Sequence, residues 1–502
     1  AVVWQITRSD DEPPAPTATP PIPTDLAPDA VTNPPFPSLT YGIHTFLWWD
    51  ETARTFDLDM VKLMNFTHVK QRFAWLDIEP APGDWHWEQA DAVVDEVENR
   101  GLEVVARIDG APDWAIRPLD AADDAPIDLE AWAEYCGAVA GRYQGRIAGY
   151  QVWNEPNLRV EWYDNTPNAV GYVKLLRACS DAIRAADPDA IIISAGLAPT
   201  GGPMPDAMSD VDYLRGMYAA GAAPAFDVLG ANAPGYADPP QVSPDEVAAA
   251  RGHRWMAFRH VEDIRAIMVE QGDAAKQMAL LEMGWTLDPR PDVVWSWHAV
   301  SEQDQAEYLV GAYRWAAEHW RPWVGLMVTI YMADIDWTED DEQYWWAVNT
   351  PGYPPQYRQA YFDLANMEKV CGDIVIPARD PGSPEAQQVP DAPIILAGSV
   401  NVLENVPVSF PQDLQVHGRN DIGRAVRIVT GQVTAQPAFL KQPLVQAGAG
   451  RRLQQADHGG YNPAAFDKLD LPLKNRRRVA VEPDNEPALN LEPRALDALD
   501  IR

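Results

Sequence analysis

Between Leu39 and about Asn366 the chain alternates short apolar, β-branched runs with longer stretches in which apolar residues recur at helical spacing. Eight runs read as strands: "TYGIHTF" (40–46), "THVKQRF" (67–73), "LEVVARI" (102–108), "IAGYQVWN" (147–154), "AIIISAG" (190–196), "FDVLGAN" (226–232), "MALLEMG" (278–284) and "GLMVTIY" (325–331). Each precedes an amphipathic stretch, among them Trp87 to Arg100, Leu129 to Tyr143, Asn168 to Ala186, Arg254 to Gln271 and Ser301 to His319. Strands that alternate with helices imply parallel pairing, because a crossover helix returns the chain to the same edge. Eight such units in about 330 residues predict an α/β fold of the (β/α)8 barrel type, with loop insertions. The alternative, an open doubly wound sheet, usually carries a glycine-rich turn after its first strand, and "GIHTFLWWDE" has none.

The flanks have a different texture. Residues 1–38 run from a short apolar tip into an acidic, proline-rich stretch, "AVVWQITRSDDEPPAPTATPPIPTDLAPDA". Two readings stand: the tip is the remnant of a removed signal or membrane anchor followed by a spacer, or the chain has an arbitrary start. The first is preferred, since proline-rich spacers commonly hold exported domains off a surface, and it implies an extracytoplasmic protein, secreted or at the cell surface. Residues 39–368 form the expected barrel. Residues 369–502 lose the regularity and read as a small β-rich appendage or an extended tail that wraps the barrel or a neighbour.

Composition narrows the function. A chain of 502 residues that is 46% hydrophobic can bury a large core. A formal net charge of -35 repels phosphate backbones and anionic membrane surfaces, which excludes nucleic acid as the expected partner and leaves neutral polymers such as polysaccharides. The basic run "KNRRR" (474–478) in so acidic a chain reads as a solvated run or a contact for the protein's own acidic surface. Three cysteines, Cys136, Cys179 and Cys371, are too few for a disulfide framework and form no CxxC pair; Cys136 and Cys179 fall in helical patterns and read as ordinary core residues. No histidine spacing suggests a metal site, and no cofactor motif, nucleophile elbow or phosphate loop is found. "NFT" at 65–67 matches a glycosylation sequon but straddles a strand start and reads as coincidence.

Barrel chemistry sits at the C-terminal ends of strands. Glu155, in "YQVWNEPNL" (150–158), falls just past the fourth strand, and Glu282, in "LLEMGW", ends the seventh. Strands four and seven face each other across the mouth of an eightfold ring, so both carboxylates can project into one pocket. A pair of acids flanking a bond is what glycoside hydrolysis requires, one to protonate the leaving oxygen and one to attack the anomeric carbon or activate water. The acid in the less polar surroundings keeps its proton. A second Asn-Glu-Pro, at 485–487, follows no strand and is read as incidental.

An "NEP" after strand four with a glutamate ending strand seven resembles clan A of the glycoside hydrolases, the retaining (β/α)8 enzymes. The region "RFAWLDIEPAPGDWHWEQAD" (72–91) is similar to families 39, 42 and 5 of that clan. The resemblance covers about residues 39–368. It implies that Glu155 is the acid/base, Glu282 the nucleophile, Asn154 a donor to the sugar 2-hydroxyl, and Arg72 a charge partner that keeps the nucleophile ionised; it also implies a β-linked substrate. Those enzymes often carry a His-x-Tyr near strand six and a tryptophan ending strand eight. This chain departs from both, offering Asn232 and Tyr236 in "ANAPGY" and Tyr331 followed by Trp337 in "TIYMADIDW".

Twenty tryptophans, all but Trp4 between 48 and 346, supply flat rings that can stack on pyranose faces. Trp132 and Trp315 read as core. Trp114, Trp285 and Trp337 follow strand ends and are expected at the substrate, with "WTLDPRPDVVWSWH" (285–298) as a wall of the cleft; His44, ending strand one, is placed to hydrogen-bond a sugar. The expectation is a retaining glycoside hydrolase without cofactor acting on a poly- or oligosaccharide. The alternative is a catalytically silent glycan-binding or structural surface protein held in an assembly through its terminal extensions.

Overall fold

A computed structural model describes residues 26–390, apart from 120, 122–123 and 294. Eight parallel strands close into a ring in sequence order: β1 (Thr40–His44), β2 (His68–Ala74), β3 (Glu103–Asp109), β4 (Ile147–Val152), β5 (Ile192–Ser194), β6 (Val228–Pro234), β7 (Gln277–Gly284) and β8 (Val324–Thr329). The helices are α1 (Glu51–Leu63), α2 (Trp75–Ile78), α3 (Glu88–Asn99), α4 (Leu129–Arg142), α5 (Ala169–Ala186), α6 (Asp210–Ala219), α7 (Pro244–Arg251), α8 (Val261–Glu270), α9 (Glu302–Trp315), α10 (Glu342–Trp346) and α11 (Gln359–Asn366). This is the expected (β/α)8 barrel. The run "KNRRR", Asn-Glu-Pro 485–487 and the segment before Leu26 lie outside the described residues.

Local chemistry starts the helices where the sequence marks them. Asp50, Asp128, Asn168 and Ser301 each accept a backbone N–H of the first turn they precede, and Ser243 forms a reciprocal capping box with Glu246 ahead of α7. Each such cap stabilises its helix by about 1 kcal/mol. The caps lie at the C-terminal ends of the strands, so they also define the floor of the loops that carry the chemistry.

Strand alternation sorts the core into two shells. Val69, Phe73, Val104, Ala106, Ile108, Leu229 and Met327 face outward against the helices. Val105, Ile193, Val228, Ala279, Leu281, Leu326 and Val328 face the axis and pack as a dry layer, sealed from below by Phe36. Phe36 is pinned there by its main chain, which exchanges hydrogen bonds of 2.9 and 3.0 Å with the Gln277 amide at the start of β7. Above the dry layer the axis-facing positions switch to His44, Lys70, Arg72, Arg107, Asp109, Gln151 and Asn232.

Contacts cross both of the expected domain boundaries. On the amino-terminal side Val31 is buried in the outer core, and Arg265 donates to the Leu26 carbonyl. On the other side a short hairpin, β9 (Lys369–Cys371) with β10 (Ile374–Ile376), docks on the segment before β1: Ser38 bonds Val370 and Gly372, and Tyr41 accepts from the Val370 N–H.

The cysteine expectation needs correcting. Cys136 of α4 and Cys179 of α5 are fully buried, as expected of core residues, but they are joined in a disulfide. Two helices that follow neighbouring strands pack side by side, which brings together sulfurs 43 positions apart in the chain. Cys371 is a free thiol.

Candidate active site

β4 ends in a turn that aims its carboxylate at the axis. Trp153 and Glu155 take positive φ angles of 73° and 37°, a region that costs non-glycine residues of order 1 kcal/mol and needs support from elsewhere. The support is visible. The Glu155 N–H donates to Gly196 O, and the Asn157 amide donates to the Ala198 and Met208 carbonyls while accepting from the Ala198 N–H, which ties the turn to the loop after β5. Glu155 is consequently held rigid and almost fully buried.

Glu282 reaches the axis by a different device. Ala279 and Leu281 already face inward, so simple alternation would turn Glu282 out. The register of β7 against β6 slips here: Ala231 pairs with Leu280 and Asn232 with Glu282, leaving Leu281 as the extra residue of a bulge. A bulge re-aims the next side chain, and here it delivers the carboxylate into the same space as Glu155.

Asn232, level with Glu282 on β6, joins the two. Its Nδ2 donates to Glu155 Oε1 at 2.7 Å and to Glu282 Oε2 at 3.3 Å. Those two oxygens are thus no further apart than the sum of the two bonds, 6.0 Å. The Asn232 Oδ1 packs against the hydrogen face of Gly196, where any Cβ would overlap it.

The other oxygen of Glu282 faces cations. Lys70 Nζ donates to Glu282 Oε1 at 2.9 Å and to the Leu281 carbonyl at 3.1 Å, and Arg107 Nη1 lies 3.9 Å from the same Oε1. Asp109 holds two guanidiniums, accepting from Arg72 Nε at 2.6 Å and from Arg107 Nε. Burial would raise the Asp109 carboxyl, but Arg107 and Arg72 together keep it below the usual range. Glu155 shifts the opposite way. Burial, then the Glu282 and Glu161 charges, push it well above the ordinary carboxylate range, against the Asn232 hydrogen bond and Arg107. Its Oε2 is buried and has no hydrogen-bond partner among the described residues. An acid that keeps its proton beside an ion-paired carboxylate is the division of labour that hydrolysis of an acetal needs.

The sequence-selected residues separate into those that meet at the pair and those that do not. His44 is buried beside the cations, with Nδ1 unpartnered among the described residues; burial and then Lys70, Arg107 and Arg72 hold it neutral, well below the usual histidine range. It stacks on Phe46 at 5.0 Å and meets Tyr331 at 5.3 Å, and Trp337 packs edge-on against both Phe46 and Tyr331, making one aromatic wall between β1 and β8. Asn154 is buried and accepts from Gln151 at 3.3 Å. Arg72 donates to Asp109, and Lys70 donates to Glu282. Trp114 is half-buried against Trp75, with its indole N–H on the Glu79 carbonyl.

Two of the expected residues are fully buried. Tyr236 is fully buried, with its hydroxyl given to Pro199 O, and it braces the loops after β5 and β6. Trp285 is also fully buried, its ring laid over Gly235 and its N–H on Asp238 O, so the wall expected of 285–298 does not begin with that ring. Both residues follow strand ends, but the chain turns their rings inward. The residues missed from sequence are Lys70, Arg107 and Asp109. The signal for them was the alternation itself: charges recur two apart at 70 and 72, and at 107 and 109, on the face opposite the apolar Val69, Phe73, Ala106 and Ile108.

The family model for beta-galactosidases of glycoside hydrolase family 42 matches residues 44–118. None of the curated proteins matches the chain. Among solved structures, a family 39 glycoside hydrolase from the gut symbiont Bacteroides cellulosilyticus WH2 is 17% identical, with a TM-score of 0.48, covering 67% of this chain and 64% of its own. The chain thus spans a little under two thirds of that enzyme's length. A monomeric beta-xylosidase from Caulobacter crescentus CB15 is 18% identical, with a TM-score of 0.46, covering 67% and 70%. The family 39 enzyme from Xanthomonas axonopodis pv. citri is 14% identical, with a TM-score of 0.47, covering 68% of each chain.

Proposed function

We propose that the protein is a retaining glycoside hydrolase acting on a β-linked poly- or oligosaccharide. The observation that carries this reading is the carboxylate spacing. Inverting enzymes need about 6.5–9.5 Å between the acids to seat a water, whereas retaining enzymes bring them to about 5–5.5 Å. The shared Asn232 amide keeps one oxygen of each acid within 6.0 Å of the other, which supports the closer, retaining arrangement. Glu282 Oε2 attacks the anomeric carbon as Glu155 gives its proton to the leaving oxygen, and Glu155 then takes a proton from the water that releases the sugar. His44, Asn154 and the Tyr331–Trp337 wall bind the sugar beside the pair. The β preference is supported by the family 42 match, whose description is of beta-galactosidases. An extracytoplasmic location is supported by the Cys136–Cys179 disulfide, a bond that persists in oxidising compartments.

The test is hydrolysis of a panel of aryl β-glycosides and of polysaccharides by the wild type, Glu155→Gln and Glu282→Gln, with azide added. Retention predicts loss of turnover in both variants and azide rescue, the anomeric configuration of the glycosyl azide identifying the missing role. A wild type that cleaves nothing but still binds glycans would replace the enzyme by a binding protein.

A further inference from the structure

The loops after β6 and β7 bring four rings together. Tyr236 stacks on Trp297 with 5.7 Å between ring centres, and Trp255 at 5.5 Å and His298 at 5.4 Å meet it edge-on. Trp297 and His298 also touch each other, at 4.8 Å. The cluster is built on the strip of chain after β5 that braces the acid. Gly196 and Ala198 hold the Glu155 turn, Pro199 O accepts the Tyr236 hydroxyl, and Trp255 Nε1 lies 3.0 Å from the place a Cβ on Gly201 would take.

Polar atoms in this cluster are buried without partners. Trp255 Nε1, Trp297 Nε1 and both ring nitrogens of His298 are closed off from solvent and have no hydrogen-bond partner among the described residues. Trp285 and Trp295 of the loop after β7, and Trp345 and Trp346 of the loop after β8, each rest the indole N–H on an oxygen. A buried indole N–H ordinarily finds such a partner, because leaving it unpaired is costly.

Resting on the retaining mechanism above, we propose that Trp255, Trp297 and His298 form the subsite of the leaving group, and that it takes a neutral sugar rather than an aryl group, an alkyl group or an acidic sugar. Glu155 sets the side. Its Oε1 accepts from Asn232, so the proton it gives sits on Oε2, and the leaving oxygen comes to the carboxyl that the strip 196–201 braces. The wall of His44, Phe46, Tyr331 and Trp337 lies between β1 and β8, on another side of the ring, and is left for the sugar that becomes bound to Glu282. Trp255 and Trp297 are only half-buried, so these two rings are the ones that turn aside to admit a ligand.

Chemistry sets the ligand. An indole N–H only donates. His298 is neutral, since burial, with Arg251 adding, drives it down to about 3 against the pull of Asp288, and a neutral imidazole offers one donor and one acceptor. Sugar hydroxyls both donate and accept, and the apolar faces of pyranose rings stack on indoles. An aryl or alkyl group would leave the buried donors unpaired. A carboxylate would meet guanidiniums already engaged, Arg251 by Asp238 and Arg254 by Asp263.

The experiment compares the wild type, Trp255→Phe, Trp297→Phe and His298→Phe on a 4-nitrophenyl β-glycoside and on a neutral β-linked oligosaccharide with the same non-reducing sugar. Phenylalanine keeps a ring and removes the polar edge. The readout is kcat/KM on the oligosaccharide divided by kcat/KM on the aryl glycoside, because the folded fraction and every effect on the shared sugar cancel in that ratio. We expect the ratio to fall about 5- to 150-fold in each variant, as for one buried polar group left unpaired. A second arm needs no variant, since the subsite of the leaving group also serves an acceptor. The free neutral sugar of the oligosaccharide, added while the wild type hydrolyses the aryl glycoside, should intercept the glycosyl-enzyme with saturation. Its hydroxyl oxygen bonds the anomeric carbon, its proton goes to Glu155, and the electron pair of the carbon–Oε2 bond returns to Glu282. Methanol and the corresponding uronic acid should show no saturation. An unchanged ratio, or sugar and methanol intercepting alike, overturns the subsite while the retaining reading stands. Saturable interception by the uronic acid overturns the assignment to a neutral sugar. If the wild type forms no glycosyl-enzyme with either substrate, the retaining reading fails and this inference with it.

Discussion

Gly196→Ala is a small change with a large expected consequence. Gly196 follows β5 at an ordinary backbone conformation, so alanine meets no backbone penalty there. The added Cβ, however, falls 2.9 Å from Asn232 Cγ and closer still to its Oδ1, and the amide must move. That amide spans Glu155 and Glu282, and a hydrogen bond to a carboxylate contributes about 1.5–3 kcal/mol. Losing one of the two lowers kcat/KM by about 10- to 150-fold. Packing strain of about 1–3 kcal/mol lowers Tm by roughly 2–10 °C. The pH profile supplies a sharper signature. The Asn232 bond opposes the upward shift of Glu155, so its loss raises the Glu155 pKa further. Glu155 acts protonated, and activity is lost on the alkaline side as it ionises, so the alkaline limb of kcat/KM moves to higher pH while the maximum falls. The assay is kcat/KM against pH on an aryl β-glycoside, with Gly141→Ala as the control, where the new methyl would meet Ala186 at an ordinary 3.8 Å. Full activity with an unmoved alkaline limb in folded Gly196→Ala would refute the amide's role.

Three further outcomes are expected. His260 is buried between Asp210 and Asp263, at 2.8 and 3.0 Å; burial alone would lower its pKa, but the two carboxylates raise it to about 10, above its unfolded value. Its stabilisation is therefore complete below about pH 6.5 and is lost as pH climbs toward 10, so Tm measured across that window should fall in the wild type and fall less in His260→Gln. Asp109→Asn leaves Arg72 and Arg107 without their shared counter-charge, and urea unfolding should register a loss of about 3–5 kcal/mol; an unchanged midpoint would mean that other groups neutralise the pair. Opening the Cys136–Cys179 loop of 43 positions by Cys179→Ala should cost up to about 4 kcal/mol, with added reductant lowering the Tm of the wild type but not of the variant.

The chain announces most of its architecture. The eight apolar runs became the eight strands with ends displaced by a residue or two, because β-branched runs and helical periodicity are local signals that tertiary packing reinforces. Caps such as Asp128 and Ser301 mark helix starts for the same local reason. Positions at strand ends pointed to Glu155 and Glu282, since the barrel itself dictates where loops converge. Strand-end position does not by itself fix exposure, however: Tyr236 and Trp285 follow strand ends and are fully buried.

Periodicity along the chain was thus enough to order the strands and helices, and to nominate two carboxylates. Their meeting depends on the closed ring. Closure sets Lys70 of β2 against the bulge of β7, the bulge turns Glu282 inward against simple alternation, and a single Asn232 amide measures the gap between the acids. Cys136 and Cys179 likewise pair only because α4 and α5 pack together. Register, bulges and contacts between distant strands arise from many weak interactions satisfied at once across the whole ring, and no window of neighbouring residues carries that information.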